Sequence, residues 1–267
     1  MSEPMIRTHN AYHLGDNLIH LNFLRRIALN NSDRQFVHYC DWHLKRQLKD
    51  VVQDVPNIKL LELNYLLPND SIDAWRGAHG HWYNHPNRND FVGYHLEWFE
   101  SLSERMGVEN TVKIPGDMLF DYPAIIESTL DGVFQVPFDV LVVNSAPGSG
   151  QFRNFDKHGL SMLASQMAKN GLEVVVTSPV PNYLGHVPST SSRGLSVTQI
   201  GTLSLHCSHI LMVSTGPSWP TFNVWNLNAI KNRIILLDEE RINLSPNTFH
   251  CTQITEASEV LKQCGLL

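Results

Sequence analysis

The segment Leu211-Met-Val-Ser-Thr-Gly-Pro-Ser-Trp219 runs from apolar residues, through a turn of small residues, into a stretch with helical spacing. An apolar run bounded by such a turn reads as a strand buried on both faces, as strands of parallel α/β sheets are. Ligands of those sheets sit at the carboxyl ends of the strands. The backbone N–H groups and dipole of the following helix, with the hydroxyls of Ser214, Thr215 and Ser218 and the close backbone access at Gly216 and Pro217, suit a phosphate. An ordinary N-cap, in which Ser or Thr satisfies its own helix, is the alternative reading.

The same alternation extends on both sides. The pattern predicts strands over 139–144, 172–177, 209–213 and 233–237, and helices over 155–170, 196–207, 219–228 and 255–263, with a Pro/Ser/Gly loop over 179–194. In the first half it predicts helices over 17–29, 42–52 and 90–106 and strands over 35–40 and 58–63. Between them, residues 66–89 form a long irregular stretch rich in Pro, Gly, Asn, His and Trp. Two similar lobes follow, residues 1–130 and 131–267, with parallel sheets flanked by helices.

Composition narrows the function classes. The 267 residues are 42% hydrophobic and 17% charged, enough for two cores of roughly 120 residues each. A formal charge of −6 gives no basic field to gather nucleic acid or anionic lipid, so nucleic acid is not supported as a partner. Cys40, Cys207, Cys251 and Cys264 lack CxxC spacing and read as free thiols of a reducing compartment. The opening MSEPMIRTHN is no export signal, and nowhere do about 18 apolar residues run unbroken, so a cytoplasmic protein with no membrane span is expected.

A second phosphate candidate is Asn144-Ser-Ala-Pro-Gly-Ser-Gly-Gln-Phe-Arg153, just past a buried strand. Ser145 and Ser149 offer hydroxyls, Gly148 and Gly150 allow backbone to approach a ligand, and Arg153 can fork onto phosphate oxygens. A flexible connection carrying a solvated arginine is the plainer alternative. GxGxxG and the P-loop pattern are both absent, which argues against nicotinamide chemistry and Walker-type hydrolysis. In the first half, Tyr12-His-Leu-Gly-Asp-Asn17 opens a helix. Asp16 is placed where a carboxylate is electrostatically favoured, either as a cap or, with His13, as a general base if the lobes face each other. Fourteen histidines raise the question of a metal, above all at His79-Gly-His81-Trp-Tyr-Asn-His85. That segment lacks HExxH and a cysteine partner, so His79, His81 and Trp82 are read as acceptor-loop candidates and no metal is assigned.

Three of these segments, in order, resemble the heptosyltransferases, glycosyltransferase family 9 and its relatives. The first helix opens on Gly15-Asp16 and continues to Leu24-Arg25. A glycine-rich turn leads through Arg153 to Phe155. Ser214-Thr215-Gly216-Pro217 is similar to the family's Asp-Thr-Gly-Pro turn near the diphosphate. The chain departs from the family at Ser214, where an aspartate is usual, and at Trp219, where a histidine is common. The resemblance implies a GT-B architecture of two facing Rossmann-like lobes and transfer of a sugar, with inversion, from a nucleotide-sugar donor to a hydroxyl acceptor. It implies Asp16 as the base, Arg153 on the departing diphosphate, Thr215 and Gly216 holding it, and no metal or other cofactor. A nucleotide-sugar epimerase or hydrolase, or a non-catalytic sugar-nucleotide-binding subunit, remains the alternative on the same scaffold.

Overall fold

Ile6–Asn10, polar at four of its five positions, forms the first strand, β1, paired in parallel with Phe36–Cys40. Thr8 Oγ1 lies 2.9 Å from His38 Nδ1, which offsets its burial, and Asn10 Oδ1 accepts the Tyr12 N–H at 2.9 Å, while Asn10 Nδ2 is buried without a hydrogen-bond partner among the described residues. The structure is a computed structural model that describes residues 5–63, 67–76, 85–86, 89–148, 152–238 and 240–267. The chain divides into two compact units. Unit 1 comprises Met1–Ala124 with Glu240–Leu244, and unit 2 comprises Ile125–Glu239 with Ser245–Leu267.

In unit 1, β1 is followed by α1 (Leu14–Asn30), β2 (Phe36–Cys40), α2 (Trp42–Leu48), β3 (Ile58–Glu62), β4 (Ile72–Asp73) and α3 (Phe91–Met106). The four strands are parallel in the order β3-β2-β1-β4. α1 buries Leu18, Leu21, Leu24 and Ile27, and its Phe23 stacks on Phe99 of α3 with ring centroids 4.3 Å apart. Asp90 caps α3 by accepting the Gly93 N–H at 3.0 Å. The distant segment Glu240–Leu244 joins this unit there: the Arg241 N–H donates to Asn89 O at 2.7 Å, and Arg241 O accepts the Phe91 N–H at 3.2 Å.

A short α4 (Ala124–Glu127) precedes β5 (Phe138–Val143), α5 (Lys157–Lys169), β6 (Val174–Val176), α6 (Val197–Ser204), β7 (Cys207–Val213), β8 (Asn232–Leu236), β9 (Thr248–Cys251) and α7 (Ile254–Gln263). The five strands of unit 2 are all parallel, in the order β6-β5-β7-β8-β9. One face of the sheet packs Val140, Val142, Leu211 and Ile234 against Leu160 and Ala164 of α5 and Leu261 of α7. The opposite face meets α6, where Gly201 lets the chain pass close: a Cβ there would come within 3.0 Å of Pro220 Cβ. All four cysteines are free thiols. Among the described residues, no helix is long and apolar enough to cross a membrane.

Parallel α/β architecture is therefore as the sequence implies, with one correction. No α-helix spans 219–228; the chain makes a six-residue 3₁₀ helix, Gly216–Thr221, and then a series of turns. Pro217 and Pro220 remove two N–H donors from that stretch. Asn223 and Asn226 then take over its backbone: Asn223 Nδ2 donates to Pro220 O at 2.9 Å and Asn226 Nδ2 to Thr221 O at 2.9 Å. The helix dipole expected at the Ser214–Ser218 turn is thus absent, and side chains of the turn must supply its chemistry.

Candidate functional site

In unit 2 the first strand, β5, lies between the second, β6, and the third, β7, so successive crossovers leave β5 in opposite directions. A sheet wound this way has a crevice outside the carboxyl ends of the two strands at the switch, here β5 and β7. Those ends carry the two segments that the sequence singles out.

Past β5, Asn144 is fully buried and ties this end of the sheet to β6. Its N–H donates to Thr177 Oγ1 at 3.0 Å, its Nδ2 donates to Ser178 O at 2.9 Å, and its Oδ1 accepts the Ser178 N–H at 2.7 Å. Ser145 Oγ lies 2.9 Å from Thr177 Oγ1. Gly148 closes the described part of this turn; Ser149 and Gly150 lie outside the described residues, as do His79, His81 and Trp82. On the far side, Arg153 has a side chain 74% exposed, and its Nε donates to Asp238 Oδ2 at 2.9 Å. Asp238 follows β8, so this ion pair reaches along the carboxyl edge of the sheet and orients the guanidinium.

Past β7, the Ser214 N–H donates to Leu236 O at 3.4 Å, and Thr215 is extended, at φ −143° and ψ 169°. Ser218 Oγ donates to Thr215 O at 2.6 Å and accepts the Thr215 N–H at 3.1 Å, so this hydroxyl is engaged in shaping the turn. Thr215 Oγ1 is buried and has no hydrogen-bond partner among the described residues. A buried hydroxyl in that state costs free energy until something accepts from it or donates to it.

Unit 1 carries the other two candidates on the helix that leaves β1. His13 is the N-cap of α1, and its N–H donates to Asp16 Oδ2 at 3.1 Å; His13 Nδ1 lies 3.7 Å from the same oxygen. Burial pushes the Asp16 carboxyl up to about 6, although the His13 N–H and imidazole pull the other way. A carboxylate with that affinity can take a proton near neutral pH, which an ordinary aspartate does poorly. Close by, the Tyr94 hydroxyl is buried without a hydrogen-bond partner among the described residues, and burial, with the charges of Glu240 and Asp16, raises its pKa well above the usual value. Among the described residues, no group of three or more His, Cys, Asp or Glu converges as a metal site.

No family model and no curated protein matches the sequence. Solved structures do match the fold. The E. coli heptosyltransferase WaaC, determined with ADP, is 12% identical and aligns over 97% of this chain and 98% of its own, with a TM-score of 0.57. A family 9 glycosyltransferase from Veillonella parvula is 11% identical over 99% of this chain and 90% of its own, with a TM-score of 0.54. This is the heptosyltransferase fold. A third similar structure, the dodecameric iron-containing heptosyltransferase TibC in complex with ADP-D-β-D-heptose, is 13% identical and aligns over 92% of this chain and 63% of its own, with a TM-score of 0.57.

Within the heptosyltransferase fold, Ser145, Gly148, Ser214, Thr215, Gly216, Pro217 and Ser218 occupy the ends of the adjacent strands β5 and β7, with Arg153 on the same edge, while His13 and Asp16 belong to the other unit. Sequence reading missed Thr177, Ser178 and Asp238, whose roles depend on pairing between strands. It also missed Tyr94, whose hydroxyl α3 brings within the field of Asp16, and Glu240, which a return segment far along the chain brings within the field of Tyr94. The Asn-Ser and Thr-Ser pairs that end β5 and β6 were the only local signal for the first group.

Proposed function

We propose that this chain is a metal-independent, inverting glycosyltransferase that moves a sugar from a nucleotide-sugar donor to a hydroxyl acceptor. The observation that carries the reading is that the turns after the adjacent strands β5 and β7 lie at the switch point of unit 2, with a Thr215 hydroxyl in one of them that is buried without a partner among the described residues and Arg153 on the same edge. Unit 2 is the donor lobe and unit 1 the acceptor-side lobe. Similar structures hold ADP and ADP-D-β-D-heptose, so ADP-sugars are the first donors to examine.

In the reaction, ionised Asp16 takes the proton of the acceptor hydroxyl, assisted in its placement by His13. The freed oxygen bonds to the anomeric carbon from the face opposite the nucleotide. The bond from that carbon to the diphosphate oxygen breaks, the electron pair leaves with the nucleoside diphosphate, and the configuration inverts. Arg153, held by Asp238, offsets the charge that develops on the diphosphate, and Thr215 Oγ1 and the backbone at Gly216 hold it.

Arg153→Ala should raise the donor KM and lower kcat together, by roughly tenfold to a hundredfold in kcat/KM, the loss expected for charged hydrogen bonds. The assay follows nucleoside diphosphate release with the sugar recovered on the acceptor. Sugar recovered free in solution would indicate a hydrolase, and loss of turnover in EDTA reversed by added iron or zinc would overturn metal independence.

A further inference from the structure

Arg233, on β8, has no exposed surface, and its hydrogen-bond acceptors among the described residues are all neutral. Its guanidinium lies 4.4 Å over the Phe222 ring, and its Nε has no partner among the described residues. A cation buried without a carboxylate is costly, and an apolar side chain of similar volume is commonly as stable in such a place or more so. Stability of the core therefore does not explain this arginine.

What the arginine holds is the turn past β7. Nη1 donates to Thr221 Oγ1 and Nη2 to Thr221 O, each at 3.1 Å. Thr221 Oγ1 passes its own proton to Ser218 O at 2.6 Å, and Ser218 Oγ in turn brackets Thr215 through its N–H and carbonyl. Two prolines deprive this stretch of an α-helical ladder, so its carbonyls depend on such donors from outside. Hydrogen bonds thus link Arg233 to Thr221 and Thr221 to the Ser218 carbonyl, and the side chain of the same Ser218 holds Thr215.

We infer that Arg233 is a positioning residue, which sets the 215–221 turn through Thr221 in the shape that receives the donor's diphosphate. The inference rests on the donor site proposed above. Arg233 touches no substrate; it acts through the turn.

The test titrates the protein with ADP, GDP, UDP, CDP and dTDP, then repeats the best of these with Arg233→Met and Thr221→Val. Arg233→Met is expected to keep or raise the wild-type Tm while weakening nucleotide binding tenfold or more, and to raise the donor KM with the acceptor KM unchanged. Thr221→Val should show the same loss, and the double variant little beyond either single one, because both break the same linkage. Wild-type affinity in Arg233→Met overturns the inference. Should that variant not fold, wild-type affinity in Thr221→Val does so instead. Absence of binding by the wild-type protein to all five nucleotides fails the functional reading, and this inference with it, and is distinguishable from failure of the inference alone.

Discussion

Replacing Asp16 with asparagine is expected to lower turnover by roughly 10²–10⁴-fold, the contribution of a positioned general base, and at the same time to make the protein more stable at pH 8. Asn retains an oxygen to accept the His13 N–H, so the capping hydrogen bond survives. The carboxylate it replaces is a liability. Burial raises Asp16 from 3.8 to about 6, so the folded protein binds this proton more tightly than the unfolded chain does. Stability contributed by the protonated acid is fully present below about pH 4 and is lost as pH rises to 6. Above that the cost of the buried charge is of the order of 3 kcal/mol. The gain from Asp16→Asn is therefore a rise of several degrees in Tm at pH 8 that shrinks toward pH 5. In the wild-type protein kcat/KM should fall about tenfold per pH unit below 6 and level off above it. Undiminished turnover in the variant would remove Asp16 as the base.

The second large effect concerns acid. His20, His38 and His95 are fully buried in unit 1. His20 has neither ring nitrogen hydrogen-bonded among the described residues, and His95 has only Nδ1 engaged, 2.7 Å from Phe91 O. Burial lowers His20 and His95 to about 3, and His38 well below its usual 6.5. The unfolded chain takes up protons below pH 6.5 that the folded unit refuses, so this stability is intact above 6.5 and is lost as pH falls from there toward 3. His20 and His95 each remove about 1.4 kcal/mol per pH unit below 6.5, together roughly 4 kcal/mol at pH 5, and His38 acts in the same direction. Asp16 titrates in the opposite sense and returns about 1 kcal/mol of it. The net loss from these groups, about 3 kcal/mol before any contribution of His38, is a large fraction of the stability of many domains. The urea midpoint followed by tryptophan fluorescence should therefore fall steeply between pH 7 and pH 5, and His20→Leu should blunt the fall. A midpoint that stays put over that range contradicts the burial of these rings.

Parallel α/β architecture was legible because the strands of unit 2 are continuous apolar runs, such as Val140–Val143 and Ile210–Val213, broken by glycine and serine at their carboxyl ends. β1 was not legible. Its buried Thr8 and Asn10 break the apolar pattern, and the partner that makes Thr8 tolerable, His38, lies on another strand. The helix expected over 219–228 failed for a related reason. Local spacing suits a helix, but two prolines, two asparagines and an arginine on the next strand satisfy the backbone another way. Of the candidate site, the turn residues and Asp16 were readable, because small residues after a strand and an acid at a helix start follow local rules. The burial that raises the Asp16 pKa, and the arrival of Glu240 beside Tyr94, depend on contacts that no local pattern encodes.

The donor site is tested most directly by thermal unfolding of the wild-type protein with ADP-, UDP-, GDP-, CMP- and dTDP-sugars at saturating concentration. Binding at a hundred times Kd stabilises by about 2.7 kcal/mol, so one class of nucleotide sugar is expected to raise Tm by several degrees while the others leave it near the unliganded value. A Tm that does not move with any of the five contradicts a nucleotide-sugar site in unit 2.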